Sequence, residues 1–363
     1  MTTTDPRDLD VMAAALNLAR RGLGNTAPNP AVGCVLMKDG RVVGRGWTQP
    51  GGRPHAEVMA LTQAGEAARG ATAYVTLEPC AHYGETPPCA EALVKAGVSR
   101  VVVAITDPDE RVAGRGMQIL RDAGIEVTEN VCRDEALLAN FGFFSACMDS
   151  GPLFTLKLAT DRDGLIPGPD AQGDDKWITC PEARMRGHLL RAQHDAVLFG
   201  IGTVKADDPE YTCRLAGMED QSPVRVLLDS QLSLSPDSKL LKTLDIAPLW
   251  VMCREDAEDV HGLADMGVEI IRVPGGKPDP IWVADELVRD GMTRVLIESG
   301  PRVATAFLNA GLVEEVAWFR SDKALGEKGV PAFNGNLLEK LELTRQAVLL
   351  AGSDHLELYR RET

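Results

Sequence analysis

The chain has no run approaching about 18 consecutive apolar residues, so it offers no candidate transmembrane helix. Its first ten residues hold three Thr and three Asp and lack the apolar segment of a secretory signal. A cytoplasmic location and no membrane partner are therefore expected. Positive charge is scarce: 38 Lys and Arg stand against 53 Asp and Glu, a net charge of −15. A surface this acidic repels phosphate backbones at long range, so nucleic acid is not the expected partner. A local basic pocket for one phosphate is still compatible with that charge. Internal repeats, low-complexity tracts and a Rossmann-type dinucleotide fingerprint are all missing. Eight Cys in 363 residues are too few for a disulfide scaffold. Six of them, Cys34, Cys132, Cys147, Cys180, Cys213 and Cys253, have no Cys or His at ligand spacing and read as buried thiols.

What is present is enough for two cores. The length exceeds the usual span of about 100–200 residues for one domain. Hydrophobic residues make 44% and charged residues 25%, as in a globular protein. Helical spacing runs from Leu9 to Leu23 and stops at the turn Ala27-Pro28-Asn29-Pro30. Ala31–Met37 and Arg41–Trp47 flank Asp39-Gly40, a two-residue hairpin signal. Helices over 55–68, 88–96, 116–123 and 134–144 then alternate with strands over 71–77, 98–105 and 125–131. This order indicates an α/β sandwich. A break at Met148-Asp149-Ser150-Gly151-Pro152 separates expected domains at 1–148 and 152–363. The second half alternates again. Strands are expected over 153–159, 196–200, 224–229, 249–253, 268–273, 293–298 and 316–321, and helices over 181–192, 281–289 and 302–310. It is a second α/β domain.

One constellation carries chemistry. Residues 54–57 read Pro-His-Ala-Glu, and Cys80 and Cys89 bracket an eight-residue loop. His55, Cys80 and Cys89 make three ligands, the number a catalytic zinc needs if one position stays open for water. Two thiolates and a neutral imidazole leave the metal formally neutral, so it acidifies water weakly and needs a carboxylate base beside it. Glu57 is that candidate. His55 and Cys80 each follow a proline and are expected to open helices, whose N-termini favour a thiolate. His-x-Glu followed by Pro-Cys is the zinc-deaminase signature, except that eight residues rather than two separate the cysteines here. His82 either lines the pocket or hydrogen-bonds within its own loop. Glu78 and Glu85 read as loop residues.

At these residues the chain resembles a family of riboflavin-biosynthesis enzymes with fused deaminase and reductase domains. The loop His82-Tyr83-Gly84-Glu85-Thr86-Pro87-Pro88-Cys89 carries the resemblance, with the segments 27–34 and 107–116. In the second half it rests on Leu156-Lys157-Leu158, Asp163-Gly164, Trp177-Ile178-Thr179, and the stretches 190–196, 202–209, 228–230 and 297–301. The resemblance implies a cytidine-deaminase-like sandwich followed by a domain similar in fold to dihydrofolate reductase. It implies zinc-dependent hydrolysis of an exocyclic amino group on a phosphoribosylamino-pyrimidinone, then NADPH-dependent reduction of ribosyl to ribityl. A homo-oligomer is the expected assembly.

Carried across by matching position, nicotinamide-nucleotide contacts fall to Ala159, Trp177, Thr203, Asp207 and Ser230, and to the segment Gly300, Pro301, Arg302, Val303, Ala304, Thr305 and Ala306. Substrate contacts fall to Asn29 and His82 in the first half, and to Asp175, Arg191, Tyr211, Arg214 and Glu298 in the second. Three places depart from the family pattern. Glu85 stands where Lys or Arg is usual, and Asp175 where Ser is common. Thr160-Asp161-Arg162 replaces a small-apolar pair, with two extra residues between it and Trp177. Two other readings compete: a nucleoside or nucleic-acid deaminase with an accessory domain, and a nucleotide-binding regulator. A deaminase whose second domain is impaired or only binds nucleotide is the alternative within the family.

Overall fold

The computed structural model describes residues 5–84, 86–108, 113–168, 177–332 and 342–362. The chain divides into two compact units, Met1–Ser150 and Gly151–Thr363.

The first unit runs α1 (Pro6–Ala19), β1 (Gly33–Lys38), β2 (Arg41–Trp47), α2 (Ala56–Ala64), β3 (Thr72–Val75), α3 (Cys89–Ala96), β4 (Arg100–Val103), α4 (Arg115–Asp122), β5 (Glu126–Thr128), α5 (Arg133–Ala139) and α6 (Phe141–Cys147). The strands form one sheet in the order β2-β1-β3-β4-β5. β1 pairs antiparallel with β2 and β3, while β3, β4 and β5 run parallel. Gly44 and Gly46 on β2 let α2 lie directly on the hairpin: a Cβ would stand 2.2 Å from the Ala60 carbonyl oxygen at the first and 2.5 Å from that of Ala56 at the second. That close approach fixes the start of α2, where His55 and Glu57 sit.

The helix expected over 55–68 ends at Ala64, and the short helices Ile201–Asp207 and Lys239–Lys242 of the second unit lie outside the expected set; two further differences have plain physical reasons. α1 begins at Pro6, not Leu9, because Asp5 accepts from the Arg7 N–H and Pro6 takes the first helical position. Its Asp8 is buried and accepts from both Arg100 Nη atoms at 2.9 and 2.7 Å. The expected helix over 134–144 is two helices, broken at Asn140. The Asn140 amide binds both the N–H and the carbonyl of Ala31, each at 2.9 Å, and its backbone leaves the helical region.

The second unit carries β6 (Leu153–Thr160), β7 (Leu165–Pro167), α7 (Pro181–Ala192), β8 (Ala196–Gly200), α8 (Ile201–Asp207), β9 (Val224–Leu228), α9 (Lys239–Lys242), β10 (Leu249–Arg254), β11 (Glu269–Val273), α10 (Pro280–Arg289), β12 (Arg294–Ile297), α11 (Pro301–Asn309), β13 (Val313–Arg320), β14 (Gly329–Pro331), β15 (Leu343–Ala351) and β16 (Asp354–Arg361). Nine strands make one sheet, β11-β10-β9-β8-β12-β6-β13-β16-β15. From β11 to β13 they run parallel, and β16 and β15 close the edge antiparallel. β7 and β14 pair separately. The departing segment 160–162 has a structural use: Asp161, fully buried, accepts from the N–H groups of Asp163, Leu165 and Leu325 and holds this turn. Among the described residues no helix is long and apolar enough to cross a membrane.

Candidate active sites

In the first unit His55 caps α2, Glu57 lies in its first turn, and Cys89 opens α3. Cys80 does not open a helix as expected. Gly84 and Pro87-Pro88 intervene, and the helix starts nine residues later. The N-terminus of α3 nevertheless reaches it through space: the Cys89 N–H donates to Cys80 Sγ at 3.2 Å. His55 Nδ1 lies 3.7 Å from Cys80 Sγ and 3.3 Å from Cys89 Sγ, and all three ligand atoms fall within 4.8 Å of one another. Tetrahedral zinc with ordinary Zn–S and Zn–N bonds sets its ligand atoms about 3.5–3.8 Å apart, so this triangle fits the ion.

The electrostatics suit a metal too. Cys80 is pulled down to about 4 because the Cys89 thiol, His55 and the Cys89 N–H donate to its sulfur, against the opposing cost of burial. Cys89 moves up, since a second thiolate would face the first in a buried place. Burial, with the Cys80 charge adding, pushes Glu57 up to about 7. A divalent cation at the centre removes the penalty on the second thiolate and displaces its proton.

Behind the ligands stands a group that sequence reasoning passed over as a loop residue. Glu78 is buried, and its two carboxylate oxygens accept four backbone N–H groups: Gly116 at 2.9 Å and Met117 at 3.3 Å on one, Gly114 at 2.9 Å and Asp107 at 3.3 Å on the other. It caps α4 from another element. The Pro79 carbonyl presses so close to Gly116 that a Cβ there would stand 1.9 Å away. Pro79 and Cys80 are thereby held against the start of α4. His82 Nδ1 is buried and has no hydrogen-bond partner among the described residues. Asn29 packs on Gly52, where a Cβ would meet its Nδ2 at 2.1 Å. Glu85 lies outside the described residues.

In the second unit the parallel strands bring several candidates to one edge, since Thr203, Ser230 and Gly300 all follow carboxyl ends of β8, β9 and β12. Thr203 Oγ1 accepts from the Gly300 N–H at 3.1 Å, and Gly300 caps α11, whose first turn holds 301–304. Ala159 is the penultimate residue of β6, and Asp207 ends α8. A second group gathers around Glu298. Arg191 grips it with two N–H bonds of 2.8 and 2.9 Å, Lys157 Nζ donates at 3.0 Å, and the Tyr211 hydroxyl donates to its backbone carbonyl at 2.7 Å. These two cations hold the half-buried Glu298 carboxyl far below the usual carboxylate range despite its desolvation. Lys157 belonged to a quoted motif but was not singled out; a lone Lys on a strand has no local signal.

Arg214 borders this group: it is exposed and pairs with Glu210 at 2.9 Å, but its Nη1 also donates to Thr212 Oγ1 at 3.2 Å, and the Thr212 carbonyl accepts from Arg191 at 3.2 Å. Other candidates stand apart. Trp177 lies under the Arg184 guanidinium and lines a cavity of about 390 Å³ whose lining holds none of the other cofactor candidates. Asp175 lies outside the described residues. Of the six other cysteines, Cys34, Cys213 and Cys253 are buried, Cys132 and Cys180 are half-buried, and Cys147 is exposed, so the expectation of buried thiols holds for three.

Comparison with known proteins agrees with this arrangement. Residues 6–105 match the cytidine and deoxycytidylate deaminase zinc-binding region, and residues 152–356 match the RibD C-terminal domain. The chain is 40% identical to the riboflavin biosynthesis protein RibD of Aquifex aeolicus over 98% of each chain, and 41% identical to that of Escherichia coli over 91% of this chain and 92% of the other. Among solved structures, Acinetobacter baumannii RibD superposes with a TM-score of 0.86 at 40% identity, covering 98% of this chain and 99% of that one. A Thermotoga maritima diaminohydroxyphosphoribosylaminopyrimidine deaminase/5-amino-6-(5-phosphoribosylamino)uracil reductase superposes with a TM-score of 0.85 at 33% identity and the same coverage. A zinc-site deaminase unit followed by a reductase unit, matched end to end at this identity, places the chain in the RibD family of bifunctional riboflavin-biosynthesis enzymes.

Proposed function

We propose that this chain acts on the two substrates in the Thermotoga relative's name: it replaces an amino group of the phosphoribosylamino-pyrimidine with oxygen, releasing ammonia, and then reduces the ribosyl group to ribityl. The observation that carries the first step is Glu57, buried beside a three-ligand triangle of zinc dimensions. Zinc held by His55, Cys80 and Cys89 supplies a Lewis acid that makes water nucleophilic at neutral pH. Glu57 would take a proton from the attacking water and deliver it to the ring nitrogen, then take the second from the hydroxyl of the adduct and pass it to the departing amine, which leaves as ammonia. In this reading His82 turns its buried Nδ1 to the substrate, and Asn29, packed on Gly52, is a further contact. Glu78 keeps Cys80 in place through α4.

For the second step NADPH supplies the hydride, and the protein binds and orients. Thr203 and the start of α11 form a phosphate cradle, since a helix N-terminus presents free N–H groups to an anion. Asp207, Ser230, Ala159 and Trp177 complete the cofactor contacts in this reading. Arg191, Tyr211 and Glu298 bound the substrate side with Lys157, and Arg214 is the exposed cation for its phosphate. The protein works in the cytoplasm. It also self-associates: among the described residues β15 is the last strand of its sheet, and it exposes Val348, Leu349 and Leu350, apolar side chains that a second copy would cover.

Replacing Glu57 with glutamine tests the deaminase assignment. Positioned acid–base groups contribute about 10²–10⁴-fold, so ammonia release should fall by at least that range while zinc content stays at wild-type level. A variant of near-wild-type rate would give the protons to another group.

A further inference from the structure

The deaminase site has a charge problem. If the substrate carries a phosphate, as the functional reading above requires, it must enter a chain of net charge −15 beside Glu57 and the Cys80 sulfur. A cation has to meet it. Arg53 stands two residues before the ligand His55 and reaches the loop that carries the ligand Cys89. Its Nη1 donates to Thr86 Oγ1 at 3.0 Å, and its Nη2 lies so near Gly84 that a Cβ there would be 3.2 Å away. The side chain is half-buried, and its positive charge is felt at the His55 ring. The preceding residue, Gly52, is the one on which Asn29 packs. Asn29 thus lies against the residue before Arg53, and Arg53 lies against Gly84 and Thr86, in the segment between the ligands Cys80 and Cys89 that also carries His82.

We propose that the Arg53 guanidinium recognises the phosphate of the substrate in the deaminase site, an inference that rests on the functional reading above. A guanidinium is a planar fork of five N–H donors, a geometry that serves a loop hydroxyl and two phosphate oxygens at once. A phosphate held by it would lie beside Thr86 and Gly84, in the segment that leads to the ligand Cys89. Glu85 lies in sequence between the two loop residues that Arg53 approaches. A carboxylate one residue along the chain from Thr86 disfavours a phosphate bound at that contact, so removing its charge should tighten binding. The rival role for Arg53 is a loop staple, which would hold Cys89's loop for any substrate, phosphorylated or not.

The test uses the full chain without NADPH, so that ammonia release reports the first site alone. Wild type, R53A, R53K and E85Q are compared for zinc per chain, kcat, KM and inhibition by ribose 5-phosphate against inhibition by ribose. A lost charge-assisted contact made equally to ground and transition states should raise KM about 10- to 100-fold in R53A and leave kcat within about threefold. Inhibition by ribose 5-phosphate should weaken in parallel, inhibition by ribose should not change, and zinc should stay at one per chain. R53K should recover part of the loss, and E85Q should lower KM. An R53A chain that loses kcat with KM and ribose 5-phosphate inhibition unchanged makes Arg53 a staple and overturns the proposal. If R53A sheds its zinc, R53K and E85Q decide: wild-type KM in both refutes phosphate recognition. Wild-type protein that releases no ammonia defeats the functional reading itself, and the proposal with it.

Discussion

Replacing Glu78 with glutamine changes one oxygen into an NH2 group and should loosen the whole deaminase unit. Each carboxylate oxygen of Glu78 accepts two backbone N–H groups. An amide accepts at one oxygen only, so whichever way it turns, two buried N–H groups face another donor. An unsatisfied buried donor costs about 1–3 kcal/mol, which makes the loss about 2–6 kcal/mol for the pair. In a unit of this length each kcal/mol moves the melting temperature by about 2–4 °C, so the first unit's transition should fall by roughly 5–20 °C. Scanning calorimetry measures it, and the transition that shifts when zinc is chelated identifies the first unit. Zinc should also leave more readily, because Cys80 is two residues from the lost anchor. A transition within about 2 °C of wild type, less than about 1 kcal/mol can produce, would show that the four hydrogen bonds do not hold the loop.

Cys89→Ser should lose most bound zinc and with it deamination, read by metal analysis. A chelator should lower the first unit's melting temperature and leave the second unit's unchanged. Full zinc occupancy in Cys89→Ser would remove that residue from the site. In the second unit Arg191→Ala leaves half-buried Glu298 with Lys157 as its remaining cation. A hydrogen bond to a charged group is worth about 1.5–3 kcal/mol. The variant should melt earlier and raise the KM for the deaminated substrate more than the KM for NADPH; equal rises would place Arg191 away from the substrate.

The metal triangle was legible in the sequence because few residue types ligate zinc and three of them stand in motifs. The hairpin at Asp39-Gly40 was equally plain, since its turn chemistry is local. What escaped depends on partners far along the chain. Asn140 breaks a helix by binding Ala31, 109 residues away, and nothing in its neighbours hints at this. Glu78 reads as one more acid after a strand until α4 is folded onto it. The strands β15 and β16 were missed because polar residues occupy them for reasons across the sheet: Arg360 pairs with Glu315, and Glu357 with Arg320. Arg191 looks like a solvated helix-end cation, and only the fold places it on Glu298, 107 residues on. The same holds for Lys157.

The most direct test is to give the whole protein the diamino phosphoribosylamino-pyrimidine, with and without NADPH, and weigh the products. Without NADPH the product should show the exchange of an amino group for oxygen, with ammonia released in equal amount. With NADPH it should gain two further hydrogens on the sugar while the cofactor is oxidised in step. An unchanged substrate would contradict the deaminase reading. A deaminated product that consumes no NADPH would leave the second unit a nucleotide-binding domain without its reaction.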